Sequence, residues 1–251
     1  MRECVILGVK VAEEGKEALE RNLVDCLRRD EKTLFSYVNV HAVNIATRDL
    51  AFRRFLNSSF RAYCDGEGVR VGARILGRQL PRRIVLTYWI WDLCALFEKR
   101  GISIFLLGGM QGVAERAASR LIQRFPLLRV CGVHHGYFEK EGAENDSVLE
   151  AIGIASPDVL FVGFGMPLQE HWIETNFQRI AAHVIMPAGS MIDYVAGEKR
   201  TTPAWMADHG MEWLFRLVQD PKRLWKRYLI GNPLFLMRIV RTRLGMQKIH
   251  E

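Results

Sequence analysis

Apolar runs of strand length alternate with longer amphipathic runs along most of this chain, and this alternation constrains the fold more than any other feature. Six runs are predicted to be strands, at 34–40, 60–64, 102–107, 128–133, 159–162 and 183–187. Helices are predicted at 14–28, 112–125, 146–154, 167–180 and 191–196. Strands that alternate with helices favour an α/β fold with a mostly parallel, Rossmann-like sheet flanked by helices.

The chain ends in a basic segment that differs from the rest. Eleven Lys and Arg residues and five Asp and Glu residues follow Gly197, so this segment has a formal charge of +6 out of the total of +7. We predict an α/β domain over 1–197 and a small basic helical appendage over 198–251. Helices are predicted there at 205–218, 222–229 and 234–244, the last after a break at Asn232-Pro233.

The positive charge of this segment favours an anionic partner but does not identify which one. Nucleic acid, a phosphate-rich substrate and an anionic membrane surface all remain open. Trp and Tyr residues are interleaved with the bases, which is typical of a segment that lies in a membrane interface. A solvated pair of basic helices packed by its Trp residues is the alternative.

The five cysteines are widely spaced, and none forms a C-x-x-C pair. Their odd number argues against a disulfide framework and a zinc site, and it favours reduced, mostly buried thiols in a cytosolic protein. The short apolar patch near the N-terminus ends at Glu13, so we expect no signal peptide. No stretch of 18 apolar residues occurs, so we expect no membrane-spanning helix.

The segment 156–172 carries the clearest sign of a ligand site. Gly163 and Gly165 lie between a buried strand and a helix that begins with a proline, a residue suited to the first helical turn. Glycines let the backbone approach a ligand, and the free N–H groups of the following helix favour an anion. Gln169 and Glu170 lie in that first turn, where we expect them to bind polar groups of the ligand.

A second strand, glycine-rich turn and helix occupies residues 104–118. Its Gly108-Gly109-x-x-Gly112 pattern is not the dinucleotide motif G-x-G-x-x-G, so it does not support a dinucleotide cofactor. A tight turn alone would explain this pattern. Two such turns in one sheet, at Gly108 and Gly163, nevertheless favour a phosphorylated ligand at the strand ends.

Asp65 ends a predicted strand at the same edge of the sheet, in the sequence Asp65-Gly66. A carboxylate there can take a proton from an attacking hydroxyl, a step typically worth ~10²–10⁴ in rate. An isolated Asp-Gly is also common as a helix cap or a turn, and the residues alone favour that alternative. No Asp-x-Asp occurs in the chain, so a metal-phosphate site of that kind has no support.

Two further polar clusters adjoin predicted strands. His134 and His135 are adjacent, so on a strand they would point in opposite directions, and no third residue has the spacing of a zinc ligand. We therefore expect a ligand-lining loop there rather than a metal site. Asn39, His41 and Asn44 follow the first predicted strand, where they could hydrogen-bond a sugar or a base, or cap the next helix.

Eight motifs in order resemble those of the WecG/TagA/CpsF family of bacterial glycosyltransferases, over about residues 39–227. The motifs are Asn39-Val-His41; Asp65-Gly66; Arg74-Ile-Leu-Gly77 with Leu80-Pro-Arg-Arg83; Leu107-Gly-Gly109; His135-Gly-Tyr-Phe138; the run from Pro157 to Glu170; Asp193-Tyr-Val-Ala-Gly197; and Glu212-Trp-Leu-Phe-Arg216-Leu217. The chain departs from the family pattern at three places. Tyr37 stands where many members have Thr, the usual Arg-x-x-Gly-x-Asp lacks its Gly and Asp after Arg83, and Thr201-Thr202-Pro203 replaces Arg-Ala-Pro.

The resemblance implies an inverting, metal-independent transferase without a cofactor, which moves a sugar from a UDP-sugar to a polyprenyl-diphosphate-linked saccharide. It implies a peripheral protein on the cytoplasmic face of the bacterial inner membrane, held at an anionic surface by its C-terminal tail. The implied process is surface polysaccharide or cell-wall polymer synthesis, with no nucleic-acid partner.

The resemblance also implies roles for particular residues. Asp65 would be the general base on the acceptor hydroxyl. The donor would be lined by Asn39, Arg83, Gly108, Gly109, Tyr137, Gly165, Gln169, Glu170 and Asp193. Diphosphate would be stabilised by Arg216, Arg223, Lys226 and Arg227, because a transfer without a metal needs other cations to offset the charge on UDP.

Two other functions remain as alternatives. A nucleotide-sugar or NAD-linked oxidoreductase or epimerase can use the same kind of sheet, but the missing G-x-G-x-x-G counts against it. A non-enzymatic, membrane-recruited nucleotide-binding scaffold would bind UDP yet release none when acceptor is added. The sequence leaves the donor sugar, the acceptor sugar and the linkage open, and apolar surface on the sheet domain leaves a homo-oligomer open.

Overall fold

The computed structural model of the protein describes residues 2–29, 31–203, 205–206 and 209–246. Its strands are β1 (Glu3–Ile6), β2 (Val9–Ala12), β3 (Thr33–Val38), β4 (Arg61–Cys64), β5 (Ser103–Gly108), β6 (Arg129–His134), β7 (Val159–Gly163) and β8 (Val184–Pro187). Six of them form a parallel sheet in the order β4-β3-β8-β7-β5-β6, and β1 pairs with β2 as an antiparallel hairpin. The predicted α/β fold class is confirmed, and all six predicted strands are present.

Helices flank the sheet and form most of the C-terminal segment. They are α1 (Lys16–Arg28), α2 (Val40–Ala46), α3 (Leu50–Ser58), α4 (Glu67–Ile75), α5 (Leu86–Arg100), α6 (Val113–Arg124), α7 (Gly142–Ala155), α8 (Leu168–Asn176), α9 (Met191–Ala196), α10 (Glu212–Gln219), α11 (Pro221–Trp225) and α12 (Gly231–Arg243). A π-helical turn, Lys226–Ile230, joins α11 to α12. The sequence did not predict α2 to α5, which are short or contain glycine and aromatic residues of weak helix propensity.

The sheet is buried on both faces, which explains why its strands are continuous apolar runs. In β7, Leu160 and Val162 lie in one core with residues of α7 and α8. Val159 and Phe161 lie in the opposite core, with residues of α5 and α6. Because side chains alternate between the two faces of a strand, each central strand contributes to both cores.

The first predicted strand, 34–40, extends two residues beyond the end of β3. β3 ends at Val38 and α2 begins at Val40, with Asn39 between them as the N-cap. The Asn39 Oδ1 accepts a hydrogen bond of 3.1 Å from the backbone N–H of Ala42, which satisfies one of the free donors at the helix start. The strand therefore stops at a polar residue that faces the carboxyl edge of the sheet.

The C-terminal segment folds back onto the sheet domain. On α12, the ring of Phe235 lies so close to Gly72 of α4 that an added Cβ there would be 2.7 Å from the ring. Asn44 of α2 donates to the carbonyl of Gly231 and accepts from Arg238, at 2.8 and 2.7 Å. The division of the chain at 197 stays a prediction.

Two predictions for this segment are wrong in detail. The predicted break at Asn232-Pro233 does not occur, because Pro233 lies in the first turn of α12, where its missing N–H needs no partner. The single helix predicted at 205–218 is interrupted by a turn at His209-Gly210 before α10, and residues 207–208 of that prediction lie outside the described residues. Within the described ranges, no helix is both long enough and apolar enough to cross a bilayer.

Candidate active site

The carboxyl ends of the six parallel strands lie at one edge of the sheet, and three adjoining cavities follow that edge. The base cavity, about 300 Å³, has Asn39, Asp65, Arg83, Glu212, Arg216 and Arg227 in its walls. The central cavity, about 470 Å³, has Tyr37, Asp65, Gly165, Gly189, Arg223 and Arg227. The glycine cavity, about 1140 Å³, has Gly109, Tyr137, Gly163, Gly165, Asp193 and Lys199. Neighbouring cavities share wall residues, so together they form one cleft.

Asp65 lies at the end of β4, in the walls of both the base cavity and the central cavity. Gly66, and not Asp65, is the N-cap of α4, so the capping alternative does not describe this carboxylate. Its Oδ2 accepts a hydrogen bond of 3.2 Å from the Asn39 amide. Burial raises the pKa of Asp65 to about 6, against the opposing effect of the nearby Arg216. The group is therefore mostly ionised at pH 7 and able to accept a proton.

A buried carboxylate joins two arginines beside Asp65. Glu212 of α10 accepts a hydrogen bond of 2.5 Å from Arg83, and it also forms a close ion pair with Arg216 one turn along its own helix. Burial works against the charge on Arg216, yet Glu212 keeps the pKa of that guanidinium above its ordinary value. The guanidinium also lies over the ring of Tyr194, 5.5 Å from its centroid.

The four cations that were predicted to bind diphosphate fall into different surroundings. Arg216 and Arg227 are in the walls of both the base and the central cavity, and Arg223 is in those of the central and the glycine cavity. Arg223 is held by Asp220, whose Oδ2 accepts from its Nε at 2.5 Å. Lys226 is exposed, with its Nζ 5.5 Å from the centroid of the Trp225 ring, and it is in the wall of none of these three cavities.

The opposite end of the cleft is built from backbone. Gly108 ends β5 with a φ of +156°, directly beside Gly163 of β7. A Cβ on Gly108 would be 2.5 Å from the Gly163 carbonyl oxygen, so only glycine fits. Gly109 follows with a φ of +72°, and its carbonyl accepts from the N–H of Gly136 after β6, at 2.8 Å. These turns leave an open backbone surface onto which a phosphate-bearing ligand could fit.

Gln169 and Glu170 lie beneath the cleft floor, with 0% and 1% of their surface exposed. The Gln169 Oε1 accepts from the backbone N–H groups of Gly165 and Gly189, at 3.1 and 3.0 Å. Its Nε2 donates to the hydroxyl of Tyr37 and to Glu170 Oε1, at 3.1 and 2.7 Å. One amide thus holds together the loops that follow β7 and β8.

Tyr137 and Asp193 lie where their motifs place them, in the wall of the glycine cavity. Tyr137 is 74% exposed, which leaves its ring available to a ligand. Asp193 accepts a hydrogen bond of 2.7 Å from Lys199 Nζ. Arg83 lies in the base cavity instead, so the predicted donor-lining residues are spread over the whole cleft. The roles of all these residues stay predictions.

Sequence reasoning missed the parts that Glu212 and Tyr37 play in the cleft. Glu212 was part of a motif, but nothing in the sequence indicated that its carboxylate would pair with both Arg83 and Arg216. Tyr37 was noted only as a departure from the family pattern, yet its hydroxyl lies between Gln169 and the central cavity. His41, a candidate from the sequence, adjoins both cavities that contain Asp65, and burial lowers the pKa of His41 to about 4, so its ring is neutral at pH 7.

The two adjacent histidines do not point in opposite directions as expected. β6 ends at His134, and the rings of His134 and His135 stack with centroids 4.5 Å apart. The loop that follows, with Gly136, Tyr137 and Phe138, is in the wall of the glycine cavity. Among the residues that the structure describes, no group of three or more His, Cys, Asp and Glu is arranged to hold a metal ion.

Comparison with known proteins gives a consistent result. The family described as "Glycosyl transferase WecG/TagA/CpsF family" matches residues 4–249. Among curated relatives, the N-acetylglucosaminyldiphosphoundecaprenol N-acetyl-beta-D-mannosaminyltransferases of Staphylococcus aureus strains MW2 and MRSA252 are each 30% identical over 210 residues. Each alignment covers 84% of this chain and 80% of the relative.

Proposed function

This chain belongs to the WecG/TagA/CpsF family of glycosyltransferases, and we propose that it transfers a sugar from a UDP-sugar to a polyprenyl-diphosphate-linked saccharide. The names of the relatives specify an N-acetylglucosaminyl diphosphoundecaprenol acceptor and an N-acetylmannosaminyl group that is transferred. We propose the same acceptor class and an N-acetylhexosaminyl donor for this enzyme. The process served would be surface polysaccharide or cell-wall polymer synthesis.

The position of Asp65 carries this proposal. In the proposed reaction its carboxylate takes the proton of the acceptor hydroxyl while that oxygen forms a bond to the anomeric carbon of the donor. The bond from that carbon to the UDP oxygen breaks, and UDP leaves with the electron pair. A single displacement of this kind inverts the anomeric configuration. Its support is a carboxylate at a strand end with a pKa of about 6, in a wall shared by two cavities.

Charge on the departing UDP needs a cation, and the cleft supplies fixed ones. Arg223, whose Nε is held by Asp220, lies where the central cavity meets the glycine cavity, on the side proposed for UDP. Arg216, paired with Glu212, lies in the walls of the base and central cavities, on the side proposed for the acceptor. Preorganised donors of this kind lower the barrier because they need no rearrangement as the charge develops. We therefore propose a transfer that needs no metal ion, which predicts full activity in the presence of a chelator.

The two ends of the cleft suggest where each substrate lies. The glycine cavity offers a surface of glycine backbone, an exposed Tyr137 ring and the ammonium group of Lys199, which suit a nucleoside diphosphate. The base cavity offers Asp65 and cationic side chains, which suit a hydroxyl group followed by diphosphate. The reacting atoms would meet in the central cavity, between the two.

UDP release tests the proposal directly. The enzyme is incubated with a panel of UDP-N-acetylhexosamines, with and without N-acetylglucosaminyl diphosphate carrying a short prenyl chain. We expect release that needs the acceptor, and a loss of about 10²–10⁴ in kcat for Asp65→Asn with UDP binding unchanged. Asp25→Asn makes the same chemical change at an exposed position of α1 and should keep full activity. UDP binding without release from any donor would contradict the proposed activity.

The pH dependence of the reaction tests the role of Asp65 separately. A carboxylate with a raised pKa of about 6 accepts protons only when it is ionised, so activity should fall as the pH drops through about 6. The measurement is kcat/KM against pH in the wild type. A flat profile between pH 5 and 8 would remove the base assignment even if transfer itself is observed.

We also propose that the C-terminal segment holds the enzyme on the cytoplasmic face of the membrane. Its exposed apolar residues include Trp225, Leu229, Ile230, Val240 and Leu244, among bases such as Lys222, Lys226 and Arg241. Each base near an anionic surface contributes roughly 1 kcal/mol. Lys226→Glu should therefore weaken cosedimentation with phosphatidylglycerol vesicles by about tenfold or more, whereas Lys99→Glu on α5 should not. Equal binding by both variants would contradict this surface.

A further inference from the structure

The base cavity has an apolar wall that the transfer chemistry does not use. Val71 of α4, Trp213 of α10 and Leu236 of α12 all lie in that wall, together with Asp65. They remain 37%, 38% and 40% exposed, although they come from three different helices. Large apolar side chains that converge on one cavity and stay exposed mark a site for an apolar ligand.

Glycines in α4 shape this wall. A Cβ on Gly68 would be 2.5 Å from Val40 of α2, and one on Gly72 would be 2.7 Å from the Phe235 ring. Because both positions lack a side chain, α2 and α12 approach α4 closely. Phe235 and the next residue, Leu236, both lie in the cavity wall, where Phe235 is buried and Leu236 is partly exposed. The wall is therefore formed by tight helix packing and is present before any ligand binds.

Chemical character changes along the base cavity. It contains the carboxylate of Asp65, the guanidinium groups of Arg216 and Arg227, and the apolar wall. An acceptor of the proposed class carries three corresponding parts: a sugar hydroxyl, a diphosphate and a hydrocarbon chain. One cavity thus supplies a partner for each part of such a molecule.

We propose that the apolar wall of the base cavity binds the first isoprene units of the acceptor's polyprenyl chain. This inference rests on the proposed function and adds a prenyl-binding site to it. The lipid is then recognised by the enzyme itself, in addition to any attraction between the C-terminal segment and the membrane. The remaining isoprene units would leave the cavity towards the exposed apolar face of α12.

Chain-length preference in solution tests this site without a membrane. The acceptors are N-acetylglucosaminyl diphosphate esters with a methyl or a geranyl group, used as monomers below the micelle concentration with saturating donor. We expect kcat/KM for the geranyl ester to exceed that for the methyl ester by tenfold or more, through a lower KM, because hydrocarbon leaves water in the complex. Equal values for the two esters would overturn the proposed site.

Two neighbouring residues give a matched pair of variants. Leu236 and Met237 are adjacent on α12 and are 40% and 41% exposed, but only Leu236 is in the cavity wall. Leu236→Glu should abolish the preference for geranyl, measured as the ratio of kcat/KM for the two esters, while Met237→Glu should keep that ratio. A preference that survives Leu236→Glu, or is lost equally in both variants, would contradict the site.

This design separates the two proposals. If no ester supports UDP release, the proposed transferase activity fails. If both esters react equally well, the activity stands and the prenyl site alone is rejected. Thermal unfolding and UDP binding of each variant check that the fold and the donor end of the cleft are intact.

Discussion

The two ends of the cleft are built in different ways. The glycine cavity is formed by short turns, in which residues adjacent in sequence, such as Gly108 and Gly109, shape the surface through their backbone. The base cavity is formed by charged side chains from distant segments, since Arg83 and Glu212 are 129 residues apart. Local sequence determines the first end, and the docking of the C-terminal segment determines the second.

Because the two ends are built differently, mutations at each end should have different effects. Damage to the glycine end is expected to change the strand ends and the cavity wall that they form, because backbone atoms are in contact there. Damage to the base end changes the charges around Asp65, because Glu212 and Arg216 reach the cleft only on α10. The C-terminal segment is therefore expected to affect the charges around Asp65 as well as the proposed membrane contact.

The largest effect is expected from Glu212→Gln. Removing one member of a buried ion-pair network typically costs about 3 kcal/mol or more, because the remaining charges lose their partner. Glu212 also raises the pKa of Asp65, so removing its negative charge lets that carboxyl ionise more easily. The acid limb of kcat/KM should then move to lower pH. Urea unfolding and a pH–rate profile measure the two effects.

A remote ion pair provides the control for Glu212→Gln. Asp146 and Arg179 pair at 2.6 Å on the surface, with more than half of each side chain exposed. Asp146→Asn should cost less than about 1 kcal/mol, as for other exposed pairs, and leave the pH profile unchanged. If Glu212→Gln behaved like this control, the base end would not depend on its charge network.

An intermediate effect is expected at the glycine end, from Gly108→Ala. The methyl group would overlap the Gly163 carbonyl at 2.5 Å, in a backbone conformation with a φ of +156°. We expect a loss of about 2 kcal/mol or more in the free energy of unfolding, and weaker UDP binding. Gly77 has a φ of +76° but nothing within 4 Å, so Gly77→Ala should lose only about 1 kcal/mol. Equal losses of stability in the two variants would mean that the close approach of Gly108 to Gly163 does not set the cost of a side chain at position 108.

The sequence revealed the glycine end better than the base end, for physical reasons. Glycines and a proline between an apolar strand and a helix carry a local signal, so the turns at Gly108 and Gly163 could be located. Asp65 could be placed at a strand end, but nothing local distinguished a base from a cap. Its pKa depends on burial and on Arg216, which the sequence does not bring near it.

The direction in which side chains point was the second feature of the site that the sequence could not predict. Gln169 and Glu170 were placed correctly in the first turn of a helix, yet packing of α8 turns them inward under the floor. Lys226 and Arg227 are adjacent and have the same charge. Successive residues of a helical turn point in different directions, so one faces solvent and the other the cleft. Such choices depend on contacts across the whole chain.

The smallest effect on the free energy of unfolding is expected from Glu170→Gln, beneath the floor of the cleft between its two ends. Burial raises the pKa of Glu170 to about 7 from the ordinary 4.5, so the native state binds its proton more tightly than the unfolded state does. Wild-type stability from this group should therefore fall as the pH rises from about 4.5 to 7. A neutral Gln removes that dependence and can still accept from Gln169. We expect the variant to gain on the order of 1 kcal/mol relative to wild type between pH 5 and pH 8. Thermal unfolding at both pH values measures this difference, and a constant difference would show that Glu170 does not titrate in this range.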